Sequence, residues 1–174
     1  MTENKSRKII FIITGLIIMI AAVWFDQFTK NLAVYALKGH SDIIIIDGIL
    51  QLHYLENTGA AFSMLEGKQT FFAILTPILL LVMLYVFIKI PYINRFKPIS
   101  FIVLFVMAGA IGNYIDRIVN HYVVDFIYFS LINFPVFNVA DCYVTVSIIL
   151  FVILMIFYYK DEDFEIIKNN LRFK

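Results

Sequence analysis

The chain has 174 residues, of which 61% are hydrophobic and 16% charged, with a net charge of +1. Soluble domains carry roughly 45–50% apolar and about 25% charged residues, so a water-soluble globular enzyme is excluded, and so is an intrinsically disordered chain. The near-neutral charge implies no nucleic-acid partner, and the single cysteine, Cys142, excludes an intramolecular disulfide and a Cys-rich metal site.

A helix needs roughly 20 apolar residues to cross about 30 Å of hydrocarbon. The first uncharged window that qualifies runs from Ile9 to Phe25 and stops at Asp26. Val23, Trp24 and Phe25 are too bulky for a signal-peptide cleavage site, so a retained anchor is expected. The residues from Asp42 to Met64 differ from their surroundings. Ile43 to Ile46 and Ile49 to Leu55 are β-branched or alternating, with Asp47-Gly48 between them, which predicts a small hairpin lying on the membrane surface. Asn57-Thr58-Gly59 breaks it, and Ala60 to Leu65 is expected as a short helix or turn.

The second window, Gln69 to Ile88, contains Pro77, which membrane helices tolerate and which predicts a kink. The third is Pro98 to Ile115 and the fourth Cys142 to Tyr159. Phe126 to Ala140 is uncharged but short, and its Asn133, Pro135 and Asn138 predict an interfacial or re-entrant segment. Phe164, Ile167 and Leu171 fall at helical spacing in the tail, where a surface helix and a frayed end are equally compatible with the pattern. The whole of 1–174 reads as one integral membrane domain with tails 1–8 and 160–174.

Four spans place both ends on one side. Lys5, Arg7 and Lys8, then Lys89, Arg95 and Lys97, then Lys160, Lys168, Arg172 and Lys174 outnumber Lys30, Lys38, Lys68 and Arg117 on the other. The positive-inside rule makes both termini cytoplasmic.

Polar groups at membrane depth cost several kcal/mol on most scales and mark function by default. Here they gather at the expected outer ends of the spans: Asp26 and Lys30; Asn113, Asp116 and Arg117; Asn138 and Asp141. Each has a bland explanation. Asp26–Lys30 is an i,i+4 pair that can close a helix end, Asp141 can cap the fourth span, and Arg117 can snorkel. Asp125, between Val124 and Phe126, caps no obvious helix. His40, His53 and His121 form no nucleophile pair or metal-ligand spacing, and there is no Gly-rich phosphate loop. Carboxylate chemistry remains: two aspartates in a low-dielectric cleft share one proton, and the pair can activate water and protonate a leaving amine. The same acids would serve a proton-coupled transporter, but such a protein needs them deep within its spans. A non-catalytic membrane subunit is a weaker alternative.

The motifs bring a resemblance. Asp26-Gln27-Phe28-Thr29-Lys30 resembles D-Q-x-x-K, and Asn57-Thr58-Gly59-Ala60-Ala61-Phe62-Ser63 resembles N-x-G-A-A-F-S. Gly109 to Arg117 followed by Val123-Val124-Asp125-Phe126 resembles G-x-x-G-N-x-x-D-R and V-V-D-F, and Phe134 to Asp141 resembles F-P-x-F-N-x-A-D. In this order they are similar to bacterial lipoprotein signal peptidases, also called signal peptidase II. The resemblance implies an aspartyl endopeptidase of the bacterial plasma membrane, without cofactor or metal. It would remove the signal peptide from diacylglyceryl-modified prolipoproteins just before the lipid-bearing cysteine, with a site near the extracytoplasmic face. It implies Asp125 and Asp141 as the catalytic pair, and Asp26, Lys30, Asn57, Gly59, Asn113, Asp116, Arg117 and Asn138 as binding or supporting residues. The expected fold is an all-α polytopic membrane protein: a bundle of four transmembrane helices with an outer β-cradle and a short outer helix. A monomer working on lipoprotein precursors within membrane lipid is the expectation for partners. Cys142 departs from the pattern, since a small hydroxyl residue is expected there, and it reads as packing only.

Overall fold

The computed structural model describes residues 5–59 and 69–171, so the short helix or turn expected at 60–65 lies outside the described residues. Among the described residues, four helices are long and apolar enough to cross a membrane: Ser6–Leu37, Phe71–Lys89, Asn94–Val119 and Val139–Phe157. Their outward faces are unpartnered, with Ile20 64% and Leu81 67% exposed. Apolar surface on that scale requires lipid around it.

Helix α1 spans Lys5–Leu37. At 1.5 Å per residue it is roughly 50 Å long, well beyond the hydrocarbon thickness. Asp26 therefore does not end the helix, as the charge pattern suggests; the chain continues helically for about three more turns. Those turns form a platform. Ala33 and Leu37 pack with Val124 and Phe126 in a buried cluster joined by Leu52, Tyr54 and Ile127.

The sheet on that platform has three antiparallel strands in the order β1 (Ile43–Ile46), β2 (Leu50–Asn57), β3 (Val123–Tyr128). The hairpin between β1 and β2 turns through Gly48 at φ +67, a left-handed conformation that a side chain resists. The third strand occupies the stretch that the sequence presents as an isolated aspartate followed by a re-entrant segment. Its register sets Leu55 opposite Asp125 and Asn57 opposite Val123. Beyond it, Phe137 bridges to Ile127, so the chain lies against the sheet edge until the fourth span begins.

Helix α2 spans Gln69–Lys89 and runs through Pro77 unbroken. Helix α3 spans Lys97–Val119 and α4 spans Val139–Phe157. They cross closely because α3 presents glycines: a Cβ on Gly109 would fall 2.5 Å from the Ala140 carbonyl oxygen. At the end of the bundle away from the sheet, the tail folds as α5, Asp161–Leu171. Arg95 grips it, its Nη2 lying 2.7 Å from Asp163 Oδ2, above a buried cluster of Ile90, Phe96 and Tyr159.

Candidate active site

The site grows from the sheet end of the bundle, where α1, α3, α4, β2 and β3 meet. Asn138 is the N-cap of α4. Its side-chain oxygen accepts the Asp141 N–H at 3.0 Å, and Asp141 Oδ2 accepts the Asn138 N–H at 3.1 Å. This reciprocal capping box satisfies two donors that a helix start otherwise leaves open. Capping and site-building, alternatives for Asp141 on the sequence alone, are one arrangement in the structure. Asn138 is the cap and Asp141 the third helical residue.

The free Nδ2 of Asn138 then reaches across to β3 and donates to Asp125 Oδ1 at 2.6 Å. Asn57 Nδ2, from the end of β2, donates to Asp125 Oδ2 at 2.8 Å. Both oxygens of a fully buried carboxyl are thus held by amide donors. Burial pushes the Asp125 carboxyl up to about 7, and the neighbouring negative charge of Asp141 adds to this. The hydrogen bonds from Asn57 and Asn138 and the more distant Lys30 ammonium oppose it without cancelling it. Asp141 is only half-buried, and its Oδ1 accepts from Asn113 Nδ2 at 2.8 Å.

Beneath this pair lies a buried ion cluster. Lys30 Nζ is 2.9 Å from Asp26 Oδ2, 3.0 Å from Asp116 Oδ2 and 2.8 Å from Asn113 Oδ1. Three acceptors match the three ammonium protons. Asp26 Oδ1 accepts the Ala140 N–H at 2.9 Å, and Asp116 Oδ2 accepts the Val124 N–H at 3.1 Å. The cluster therefore ties α1 to the start of α4 and α3 to the strand carrying Asp125. Asp26–Lys30 is a true i,i+4 pair, but it closes no helix end.

Arg117 does not snorkel into solvent. It donates from Nη2 to the Gly59 carbonyl at 3.0 Å and from Nη1 to the Asn113 carbonyl at 3.2 Å, with its guanidinium 4.9 Å from the Phe72 ring centre. Gly59 N–H donates to Asn57 Oδ1 at 2.9 Å, so the loop after β2 is fastened on both sides. The tertiary structure brings every sequence-selected site residue into this one network.

Two further contributors stand inside the motifs without being marked by the sequence as site residues. Gln27 Nε2 donates to Asp116 Oδ1 at 2.9 Å and to the Gly112 carbonyl at 3.1 Å. A Cβ on Gly112 would collide with Asp26 Oδ2, so the glycine makes room for the buried carboxylate. The signal is present in D-Q-x-x-K and G-x-x-G, but the reason for each spacing is a contact between separate helices. Cys142 is half-buried beside Asp141 and lines an apolar groove between α3 and α4.

The fold and this centre define a multi-pass membrane protein with a carboxylate-lined polar site at one end of its helix bundle. Comparison with known proteins places it further. The family model described as signal peptidase (SPase) II matches residues 7–157. Lipoprotein signal peptidases of Staphylococcus aureus strains JH9 and Newman are each 40% identical over 152 residues, covering 86% of this chain and 92% of theirs. A bacterial membrane enzyme solved by the in meso method at 2.3 Å resolution superposes with a TM-score of 0.77 at 37% identity, covering 84% of this chain and 89% of that one. A second, at 1.9 Å resolution, gives 0.75 at 36% identity, covering 86% and 96%. The chain belongs to the signal peptidase II family, and with it to the peptidases that process lipoproteins.

Proposed function

We infer that the chain is an aspartyl endopeptidase acting on diacylglyceryl-modified prolipoproteins, with Asp125 and Asp141 as its catalytic pair. The observation that carries this reading is the bridge made by Asn138. One residue, at the start of α4, holds Asp125 through its amide nitrogen and Asp141 through its side-chain oxygen and backbone. Asp125, buried and facing the negative charge of Asp141, keeps its proton toward neutrality.

The ionised member takes a proton from a water positioned between them, and that water attacks the scissile carbonyl. The protonated member polarises the carbonyl and then donates to the leaving amine. The amide groups of Asn57 and Asn113 keep the acids oriented through the exchange. Lys30, Asp26 and Asp116 keep the helices and the strand in register beneath them.

Basic residues concentrate at the bundle end away from the sheet, which favours cytoplasmic termini and an extracytoplasmic site at the lipid boundary. The exposed isoleucines of β1 then rest at the membrane surface. The apolar signal helix approaches laterally from lipid, and the acyl chains stay in the bilayer. That confinement supplies part of the positioning of the scissile bond.

The test is cleavage by purified enzyme of a lipid-modified precursor and its unlipidated form. Cleavage of the first alone, just before the modified cysteine by mass, is expected. Asp125→Asn and Asp141→Asn should each abolish turnover while leaving insertion intact. Near-normal turnover in either variant would overturn the assignment.

A further inference from the structure

One face of β2 continues outward from the site. Gln51, His53, Leu55 and Asn57 all line a single cavity of about 580 Å³, spanning the register shift of β2 on β3 between Leu52 and Leu55. The segment 133–136 forms its opposite wall, and Tyr128 and Asp42 stand at its far end. At the near end stands Asn57, which donates to Asp125. At roughly 3.3 Å per residue, the run from Asn57 to Gln51 is about 20 Å, room for about five or six residues of extended peptide.

Beyond Asn57 and Leu55 the face of β2 in the groove is polar. His53 Nδ1 then lies 2.8 Å from Asp42 Oδ1, and Gln51 Nε2 donates to Asp42 Oδ2 at 3.4 Å. Tyr128 Oη donates to Asn133 Oδ1 at 2.5 Å, fastening the opposite wall to β3. Among the described residues lining the cavity, Asp42 is the sole side chain with a permanent charge.

We propose that this groove receives the substrate chain that follows the scissile bond, and that Asp42 makes it select for basic over acidic residues in the first positions after the cleavage point. This rests on the peptidase reading above. The part of the precursor before the scissile bond is an apolar helix and belongs among the membrane spans. The part after it is hydrophilic and needs a polar channel that starts at the carboxyls and leads away from the bundle. The groove begins at Asn57, the residue that holds Asp125, and has that polarity and that length. Its extended walls, lined with amide and phenol groups, suit a peptide better than an acyl chain.

The experiment uses the full-length enzyme in lipid and three lipid-modified precursor peptides. They differ only in residues two to four after the cleavage point, which are neutral, basic or acidic. The basic peptide should show a kcat/KM roughly 3- to 5-fold above the acidic one, as expected of a half-exposed charge pair. Asp42→Asn should bring that ratio close to one, and Asp42→Lys should invert it. A ratio is unaffected by loss of folded enzyme. Should Asp42 variants be inactive, Gln51→Lys places an opposing charge in the same groove and should also lower the ratio. A wild-type ratio near one, or a ratio unchanged by these substitutions, overturns the proposal. Failure to cleave even the neutral lipid-modified peptide overturns the peptidase reading instead.

Discussion

Asn138 donates to Asp125 at 2.6 Å from the same side chain that caps the helix carrying Asp141. Helix initiation and the spacing of the two carboxyls are therefore one mechanical unit: α4 cannot start elsewhere without moving Asp141 away from Asp125. Substitutions at Asn138 separate the two roles. Asn138→Ser keeps a good cap but is too short to donate to Asp125. It should cost less stability than Asn138→Ala while removing at least about 100-fold of activity, the scale at which a general acid–base contribution is lost. Asn138→Ala should lower both, with about 1 kcal/mol of stability lost through the missing cap. Thermal unfolding in detergent beside precursor cleavage distinguishes the cases.

Lys30 pairs with two buried aspartates and sits at 2% exposure. Lys30→Met leaves both carboxylates without their cation, so about 3–5 kcal/mol of stability should be lost. Adding Asp26→Asn and Asp116→Asn in the same chain removes the uncompensated charges and should recover much of that loss. The melting temperatures of the single and triple variants check this.

The crossing of α3 and α4 is set by contacts that a methyl group would fill. Gly109→Ala meets the Ala140 carbonyl, and Gly112→Ala meets an Asp26 carboxylate that its own partners hold still. Each should cost about 1–3 kcal/mol by overpacking, and Gly112→Ala should also reduce turnover because it displaces the ion cluster. Gly39 has φ +77 but nothing within 4 Å of a new Cβ, so Gly39→Ala meets backbone strain alone and should cost less than Gly109→Ala. Melting temperatures of the three variants order the costs.

The raised Asp125 carboxyl has consequences for pH. Its folded value of about 7 exceeds the ordinary one of 3.8, so the folded state holds this proton over a window in which the unfolded state has lost it. The associated stability is fully present below about pH 4 and is lost as pH rises toward 7, at about 1.4 kcal/mol per pH unit across that window. Asp125→Asn should flatten that slope in thermal melts taken between about pH 4 and 8. In the proposed mechanism Asp125 must hold its proton, so kcat/KM should fall on the alkaline side as that proton leaves, with an apparent midpoint of about 7. A pH–rate profile measures it.

Much of this protein is legible in its sequence, and for a physical reason. Lipid demands long uncharged helices, so 61% hydrophobic composition and the positions of the few charges mark out four spans. The β-branched run around Asp47-Gly48 announces a hairpin because local turn chemistry suffices for one. Asp125 is conspicuous as an aspartate between apolar neighbours. What the sequence does not show is its strand: β3 exists by pairing with β2, far away along the chain, and no local pattern encodes that register. Asp26 looks like a helix end because a charge normally terminates a span. The i,i+4 Lys30 is readable along the chain, but only the tertiary structure supplies the Ala140 N–H and the space beside Gly112 that let α1 continue through Asp26. The sequence by itself determined which residues are too polar for their surroundings. The tertiary structure decided how they are satisfied, because partners such as Asn57 and Asn138 for Asp125, or Lys30 for Asp116, lie on other elements and meet only once the helices have packed.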